Sequence, residues 1–288
     1  MYIGALEAGG TKMVCAIGDE KGNILDRISL PTQKPEETIP KIIDYFRDYD
    51  IKALGIGCFG PIDLKKESKT YGYITTTPKL DWRNYDIVGA FKETLQVPIG
   101  FDTDVNASAL GEATWGITQG MENSIYITIG TGIGTGIIVG GKLLHGMLHP
   151  EAGHILLNRH KEDPYEGKCP YHKSCFEGLA SGPAIEMRWG EKAYELTLRQ
   201  DVWEMEAYYI AQAIVNYILI LSPQRIVLGG GVMHQEHLMP LIRTQVKNLL
   251  SGYLDTEELN EVEQYIVLAS LNDNQGILGA IKLGLDAI

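Results

Sequence analysis

Three glycine-rich turns constrain this chain more than any other feature. They are Ala8-Gly9-Gly10-Thr11-Lys12, Gly130-Thr131-Gly132-Ile133-Gly134-Thr135-Gly136 and Gly229-Gly230-Gly231. Each directly follows a short apolar run, at residues 2–6, 125–129 and 226–228, that reads as a buried strand. Turns built from Gly and Thr can bring bare backbone N–H groups and hydroxyls against a phosphate chain, because no Cβ blocks the approach. One such turn says little, since glycines also make tight hairpins. Three of them at strand ends point to a nucleotide held between two lobes.

The segment after each turn narrows the choice. After Gly10 comes a β-prone stretch at 13–17, then the turn signal Gly18-Asp19-Glu20-Lys21-Gly22-Asn23 and a further strand at 24–30. A Walker-type loop needs G-x-x-x-x-G-K-[ST] opening a helix, so strand-turn-strand is the wrong context for it. The second turn holds G-x-G-x-x-G only loosely, and a strand at 137–139 comes after it. That argues against a dinucleotide-binding unit, in which the glycines open a helix. Two phosphate candidates therefore lie at β-hairpin tips.

At 288 residues the length suits about two domains. The first half reads as a hairpin, a third strand, a helix at 35–48, a strand at 53–58, a helix near 87–95, a strand at 97–101 and a helix at 106–115. The second half opens at 125 with another strand, Gly-Thr turn and returning strand. An irregular stretch at 159–175, helices through 221 and a strand at 225–228 come next. Two blocks that open alike predict a duplicated α/β fold with a cleft between its lobes. The crossing point falls within 112–123, and a short apolar helix at 276–288 is expected to pack back on a lobe.

Charge and apolar pattern exclude several function classes. The 25 Lys and Arg against 37 Asp and Glu leave a net charge of −12, which disfavours nucleic-acid and anionic-membrane partners. An anionic nucleotide is accommodated only if local N–H groups and a divalent cation neutralise its phosphates. The start of the chain lacks the basic region, apolar core and cleavage site of a signal peptide. The most apolar helical stretch, 210–221, is interrupted by Gln212 and Asn216 and falls short of the roughly 18 residues a membrane span needs. A soluble cytoplasmic protein is expected. With 4 Cys and no secretory context, a disulfide framework is not.

Several short segments carry chemistry. Phe101-Asp102-Thr103-Asp104-Val105-Asn106-Ala107 lies between a strand and a helix. Asp102 or Asp104 could simply cap the helix. Two carboxylates and an Asn exceed what a cap needs, and a carboxylate at a strand's end is well placed to take a proton from a substrate hydroxyl. Cys169-Pro170-Tyr171-His172-Lys173-Ser174-Cys175 offers three ligands in one loop, and His154 of Glu151-Ala152-Gly153-His154 is the nearest fourth for a tetrahedral zinc. The alternative is a polar loop with two incidental thiols. A site with no open position would be structural, pinning a loop too polar to fold alone. Cys15 and Cys58 sit in apolar strands and read as small buried hydrophobes. Cys58-Phe59-Gly60-Pro61-Ile62-Asp63 ends a strand in a turn that is either punctuation or a substrate contact.

Together these residues resemble the ROK family of repressors, uncharacterised reading frames and sugar kinases, within the actin-like ATPase fold, over essentially the whole chain. Glu7-Ala8-Gly9-Gly10-Thr11-Lys12 is similar to the family's first phosphate motif, and Gly130-Thr131-Gly132-Ile133-Gly134 to its second. Gly57-x-x-Gly60-Pro61-x-Asp63 matches its G-x-x-G-P-x-D segment, and Leu228-Gly229-Gly230-Gly231 resembles its adenosine turn. Glu151-x-Gly153-His154 and Cys175-x-Glu177 match its sugar and zinc signatures. Three departures stand out. Glu7 replaces the more usual Asp, as in the bacterial fructokinase branch. Thr103 stands where glucokinases carry Asn, and His172 stands where the zinc loop usually has Cys. The first two favour fructose over glucose.

The resemblance implies two actin-like (ribonuclease H-like) α/β lobes with a nucleotide and sugar cleft between them. Residues 1–115, rejoined by 275–288, would form the N-terminal lobe, and 116–274 the C-terminal lobe with the zinc-binding loop. It implies phosphorylation of a hexose, most directly O6 of fructose, by ATP with Mg²⁺, with Asp104 as general base. Gly60, Pro61, Thr103, Glu151, His154 and Glu177 would bind the sugar. Gly9, Gly10, Thr11, Lys12, Thr131, Gly132, Gly229, Gly230 and Gly231 would bind the nucleotide, with Glu7 towards Mg²⁺. A structural Zn²⁺ would be held by His154, Cys169, His172 and Cys175, one ring nitrogen of His154 serving zinc and the other the sugar. Mannokinase, glucokinase and N-acetylhexosamine kinase activities belong to the same family. A sugar-sensing regulator is the remote alternative, but such members carry a helix-turn-helix ahead of a first strand that here begins at residue 2. A homodimer is the expected assembly.

Overall fold

Side chains that alternate between two cores along the opening strands set the architecture. In β1 (Tyr2–Ala8) and β2 (Lys12–Gly18), Ile3, Ala5, Val14 and Ala16 fill one core, while Leu6, Met13, Cys15 and Ile17 fill another. A sheet apolar on both faces must be covered on both, and helices cover it. The structure, a computed structural model, describes residues 1–288.

The chain continues through β3 (Ile24–Pro31), α1 (Pro35–Arg47), β4 (Ile51–Cys58), the short pair β5 (Tyr73–Ile74) and β6 (Tyr85–Asp86), α2 (Ile87–Leu95), β7 (Ile99–Thr103) and α3 (Asp104–Trp115). Then come β8 (Ser124–Ile129), β9 (Ile133–Val139), β10 (Lys142–Leu143), α4 (Phe176–Ala180), α5 (Gly182–Trp189), α6 (Gln200–Leu221) and β11 (Arg225–Gly229). The chain closes with α7 (Leu238–Leu250), α8 (Glu257–Asn260), α9 (Val262–Tyr265), β12 (Ile266–Leu268) and α10 (Gln275–Leu285).

Two compact units result. One comprises Met1–Gly120, Leu143–His149 and Ser270–Ile288, the other Met121–Lys142 and Pro150–Ala269. The first unit holds a sheet of order β3-β2-β1-β4-β7, in which β1, β2 and β3 are antiparallel and β4 and β7 run parallel to β1. Ile42, Phe46 and Phe91 of α1 and α2 pack on one face, and Ile277 and Ile281 of α10 on the other. A Cβ on Gly279 would collide with the Ala107 backbone, so glycine is what lets α10 lie directly on α3. The second unit repeats the plan with a sheet of order β10-β9-β8-β11-β12, where β8 and β9 form the antiparallel hairpin and β11 and β12 run parallel to β8. Each unit therefore has the ribonuclease H-like arrangement of the actin-like fold, a hairpin continued by parallel strands.

Two of the boundaries that differ from the sequence reading bear on the site. β7 extends to Thr103, two residues past the expected end, and α3 starts at Asp104 rather than 106. The cause is the cap: Thr103 Oγ1, not an Asp carboxylate, accepts from Asn106 N–H (3.1 Å). No helix is long and apolar enough to cross a membrane.

Candidate active site

Parallel register places three loops side by side in the first unit. Ala8 of β1 pairs with Cys58 of β4, and Cys58 with Thr103 of β7. The carboxyl ends of these strands therefore deliver Gly9–Lys12, Phe59–Asp63 and Thr103-Asp104 to one edge, the place where open α/β sheets hold ligands. Gly9 N–H donates to the Lys12 carbonyl (3.0 Å) and closes the first turn, while the Gly10 and Thr11 N–H groups make no bond within the protein. Thr32 steadies the turn through its hydroxyl to the Gly9 carbonyl (2.7 Å) and its N–H to the Thr11 carbonyl (3.0 Å).

Two carboxyls with raised pKa lie at this edge. Burial pushes Asp104 up to about 6, and its Oδ1 accepts from Val105 N–H (2.9 Å). Burial, and after it the Asp104 charge, push Glu7 up to about 7, against the pull of Lys12 and Arg27. Hard oxygen donors of this kind suit Mg²⁺.

Asp102 has a different task. Its Oδ1 accepts from Thr103 N–H (2.8 Å) and Asn106 Nδ2 (2.6 Å), and its Oδ2 lies 2.8 Å from His145 Nε2. That bond raises the His145 pKa. His149, from the same 143–149 segment, accepts at Nε2 from Ile62 N–H (3.2 Å), just past the cis Gly60–Pro61 peptide. Neither contact was legible in the sequence, because each joins residues far apart in the chain with no local pattern. Asp63 is occupied within its own loop, accepting from Lys65 N–H, Ser68 Oγ and Thr70 Oγ1, bonds that hold its carboxyl below the usual range.

In the second unit the ends of β8 and β11 are neighbours, since Gly229 pairs with Thr128. Gly230 has φ of 89°, and a Cβ there would stand 2.5 Å from the Ile129 carbonyl oxygen, so only glycine fits between the two turns. Gly130 N–H donates to the Gly132 carbonyl (2.9 Å) and Gly182 N–H to that of Gly130 (2.8 Å), which fixes the second turn against the start of α5. Thr131 is exposed at its tip. Glu177 of α4 accepts from Ile133 N–H (3.1 Å) through Oε2 and so ties this turn to the Cys/His loop.

His154, Cys169, His172 and Cys175 converge, with one ligand atom of each within 4.8 Å of the others. His154 Nδ1 lies 3.5 Å from Cys175 Sγ and 3.8 Å from Cys169 Sγ, and His172 Nδ1 lies 3.7 Å from Cys169 Sγ. A tetrahedral zinc with bonds of roughly 2.3 and 2.05 Å sets its S and N ligands about 3.6 Å apart, so the four atoms fit that ion. Burial pushes the Cys175 thiol up to about 12, so a cation is what would ionise it. Nδ1 of His154 faces the cysteines, which leaves Nε2 for another partner. Glu151 is exposed, and its carbonyl accepts from His154 N–H (2.9 Å) at a single 3₁₀ turn, Ala152–His154. Cys15 and Cys58 are wholly buried, and burial raises both thiols.

A model of the ROK family matches residues 3–287. A protein of Bacillus subtilis (strain 168), provisionally named a fructokinase, is 54% identical over 99% of this chain and 96% of its own length. The fructokinase of Pediococcus pentosaceus is 45% identical over 100% of this chain and 99% of its own. Among solved structures, the ROK family glucokinase from Streptomyces griseus, crystallised with glucose and AMPPNP, superposes with a TM-score of 0.80 at 25% identity, covering 99% of this chain and 100% of that one. With a family model spanning nearly every residue and relatives this similar over their full length, the chain belongs to the ROK family.

Proposed function

We propose that this protein is an ATP-dependent hexose kinase that phosphorylates fructose to fructose 6-phosphate. One observation carries the reading: Asp104, its carboxyl raised to about 6, stands at the same sheet edge as a phosphate turn with two free N–H groups. Asp104 takes the proton of the hexose hydroxyl as that oxygen attacks phosphorus. Gly9, Gly10, Thr11 and Lys12 receive phosphate oxygens, as do Thr131 and Gly132, and Gly229, Gly230 and Gly231 make the adenosine turn. Gly60, Pro61, Thr103, Glu151, His154 and Glu177 hold the sugar.

Mg²⁺, held towards Glu7, supplies charge neutralisation to the nucleotide when bound. Zn²⁺ in the Cys/His quartet is structural and fixes the rings of His154 and His172. Phosphoryl transfer asks mainly for positioning and charge stabilisation, which these elements provide. The fructokinase relatives support the sugar assignment. We further infer a cytoplasmic homodimer from the family resemblance.

The test is hexose-dependent ADP release from Mg-ATP with fructose, mannose, glucose and N-acetylated hexosamines. A kcat/KM for fructose at least tenfold above the others is expected. Preference for another hexose would overturn the substrate, and no turnover with any sugar would overturn the kinase.

A further inference from the structure

The side chain of Lys79 reaches the first phosphate turn from a segment outside the motifs of the site. A Cβ placed on Gly10 would stand 3.2 Å from Lys79 Cε. The backbone holds the residue there. Lys79 N–H donates to Thr77 Oγ1 (3.3 Å), Arg83 closes on the Thr77 carbonyl through Nε and Nη2 (3.3 and 3.1 Å), and Trp82 N–H donates to the Lys79 carbonyl (3.0 Å). Trp82 is buried, with its indole N–H on the Gln33 carbonyl (2.8 Å) and its ring edge-on to Phe59. Gln33 adjoins Thr32, which binds both the Gly9 and Thr11 carbonyls. One bonded path thus runs from the phosphate turn through Thr32, Gln33 and Trp82 to Lys79, so the approach is built rather than incidental.

The ammonium itself has no ion-pair or hydrogen-bond partner. Lys79 lines a pocket of about 320 Å³ with Thr32, Gln33 and Lys34, and the carboxylates of Glu37 and Asp81, which also line it, do not pair with the ammonium. In a chain of net charge −12, an unpaired half-buried lysine beside two free N–H groups marks an anion position.

We propose that Lys79 is a further catalytic residue, contacting the transferring phosphoryl group together with the Gly10 and Thr11 N–H groups. This rests on the kinase reading of the site. As the bond from phosphorus to the ADP oxygen breaks and the bond to the hexose oxygen forms, the hydroxyl proton goes to Asp104. Lys79 stabilises charge on the equatorial oxygens.

Steady-state kinetics of Lys79→Ala and Lys79→Arg, with whichever hexose the wild type turns over best, test the assignment. Lys79→Ala is expected to lower kcat about 100- to 1,000-fold, the effect of losing one transition-state donor, with hexose KM held within about threefold. Lys79→Arg, which keeps the charge, is expected to recover at least a tenth of the wild-type kcat. A kcat for Lys79→Ala within about threefold of wild type would overturn the proposal and leave the kinase assignment standing. Calorimetric binding of inorganic tripolyphosphate needs no sugar and separates the two claims. If the wild type phosphorylates no hexose, the kinase reading fails alone; tenfold weaker tripolyphosphate binding by Lys79→Ala then supports the anion contact, and unchanged binding overturns it.

Discussion

Asp104 works as a base only when ionised, and its burial makes that form unfavourable. With its carboxyl near 6, the protonated form predominates below that pH and the ionised form above it. The logarithm of kcat/KM should therefore rise with unit slope below about pH 6 and level off above it. A flat profile between pH 5 and 7 would count against Asp104 as the base. Asp104→Asn keeps the shape and removes the basicity, so kcat should fall about 100- to 10,000-fold with the fructose KM little changed; near-full turnover would remove Asp104 from that role. At this scale the sequence offers as candidates the residues that sit in compact motifs, such as Asp104, Glu151-x-Gly153-His154 and the Gly-Thr turns. It could not expose Asp102–His145 or Ile62–His149. Those pairs exist only because the 143–149 segment lies in the first unit, a tertiary fact without a local signature.

Hairpins, caps and one polar loop decide the elements. Strand, Gly-Thr turn and returning strand were readable in both units, because short apolar runs and turn residues are local signals. The start of α3 was misread because Thr103 and two neighbouring Asp residues all favour a cap, and only geometry selects the hydroxyl. The loop around Cys169–Cys175 has little apolar content of its own, and metal held by the four converging side chains is expected to pin it. Cys175→Ala should lose one equivalent of zinc by metal analysis and lower stability by about 4 kcal/mol, the scale of a lost structural metal. Wild-type protein that is fully active and stable without zinc would refute the metal assignment. A second anchor is wholly buried: Arg188 of α5 meets Asp163 Oδ2 (3.1 Å), which also accepts from Tyr209 of α6 (2.7 Å). Nearby Glu206 is pushed well above the carboxyl range by burial, and the carboxyl paired with Arg188 is that of Asp163. Arg188→Met strands that anion and should cost about 3–5 kcal/mol in denaturant unfolding, as for other broken buried pairs. An unchanged midpoint would show the pair to be dispensable.

At the scale of the molecule, two units with one strand plan each bring a Gly-rich turn to the carboxyl ends of their strands. The duplicated opening was legible because it repeats a pattern of elements, although the residues themselves do not repeat. Assembly was not legible in this way. The second unit exposes Leu198, Ile220 and Tyr194 to solvent at 97%, 76% and 67%, apolar surface that self-association could cover. Light scattering should give twice the chain mass of 31.8 kDa, and a monomer at micromolar concentration would contradict the dimer. In the proposed reaction the γ-phosphoryl of ATP moves to O6 of fructose, with Asp104 taking the proton. Phosphorus NMR of the product formed from fructose and Mg-ATP by zinc-replete wild type, run beside Asp104→Asn, tests it most directly. Fructose 6-phosphate is expected as the single new phosphate ester in the wild type, with almost none in the variant. An ester at another position, or equal product from both proteins, would contradict it.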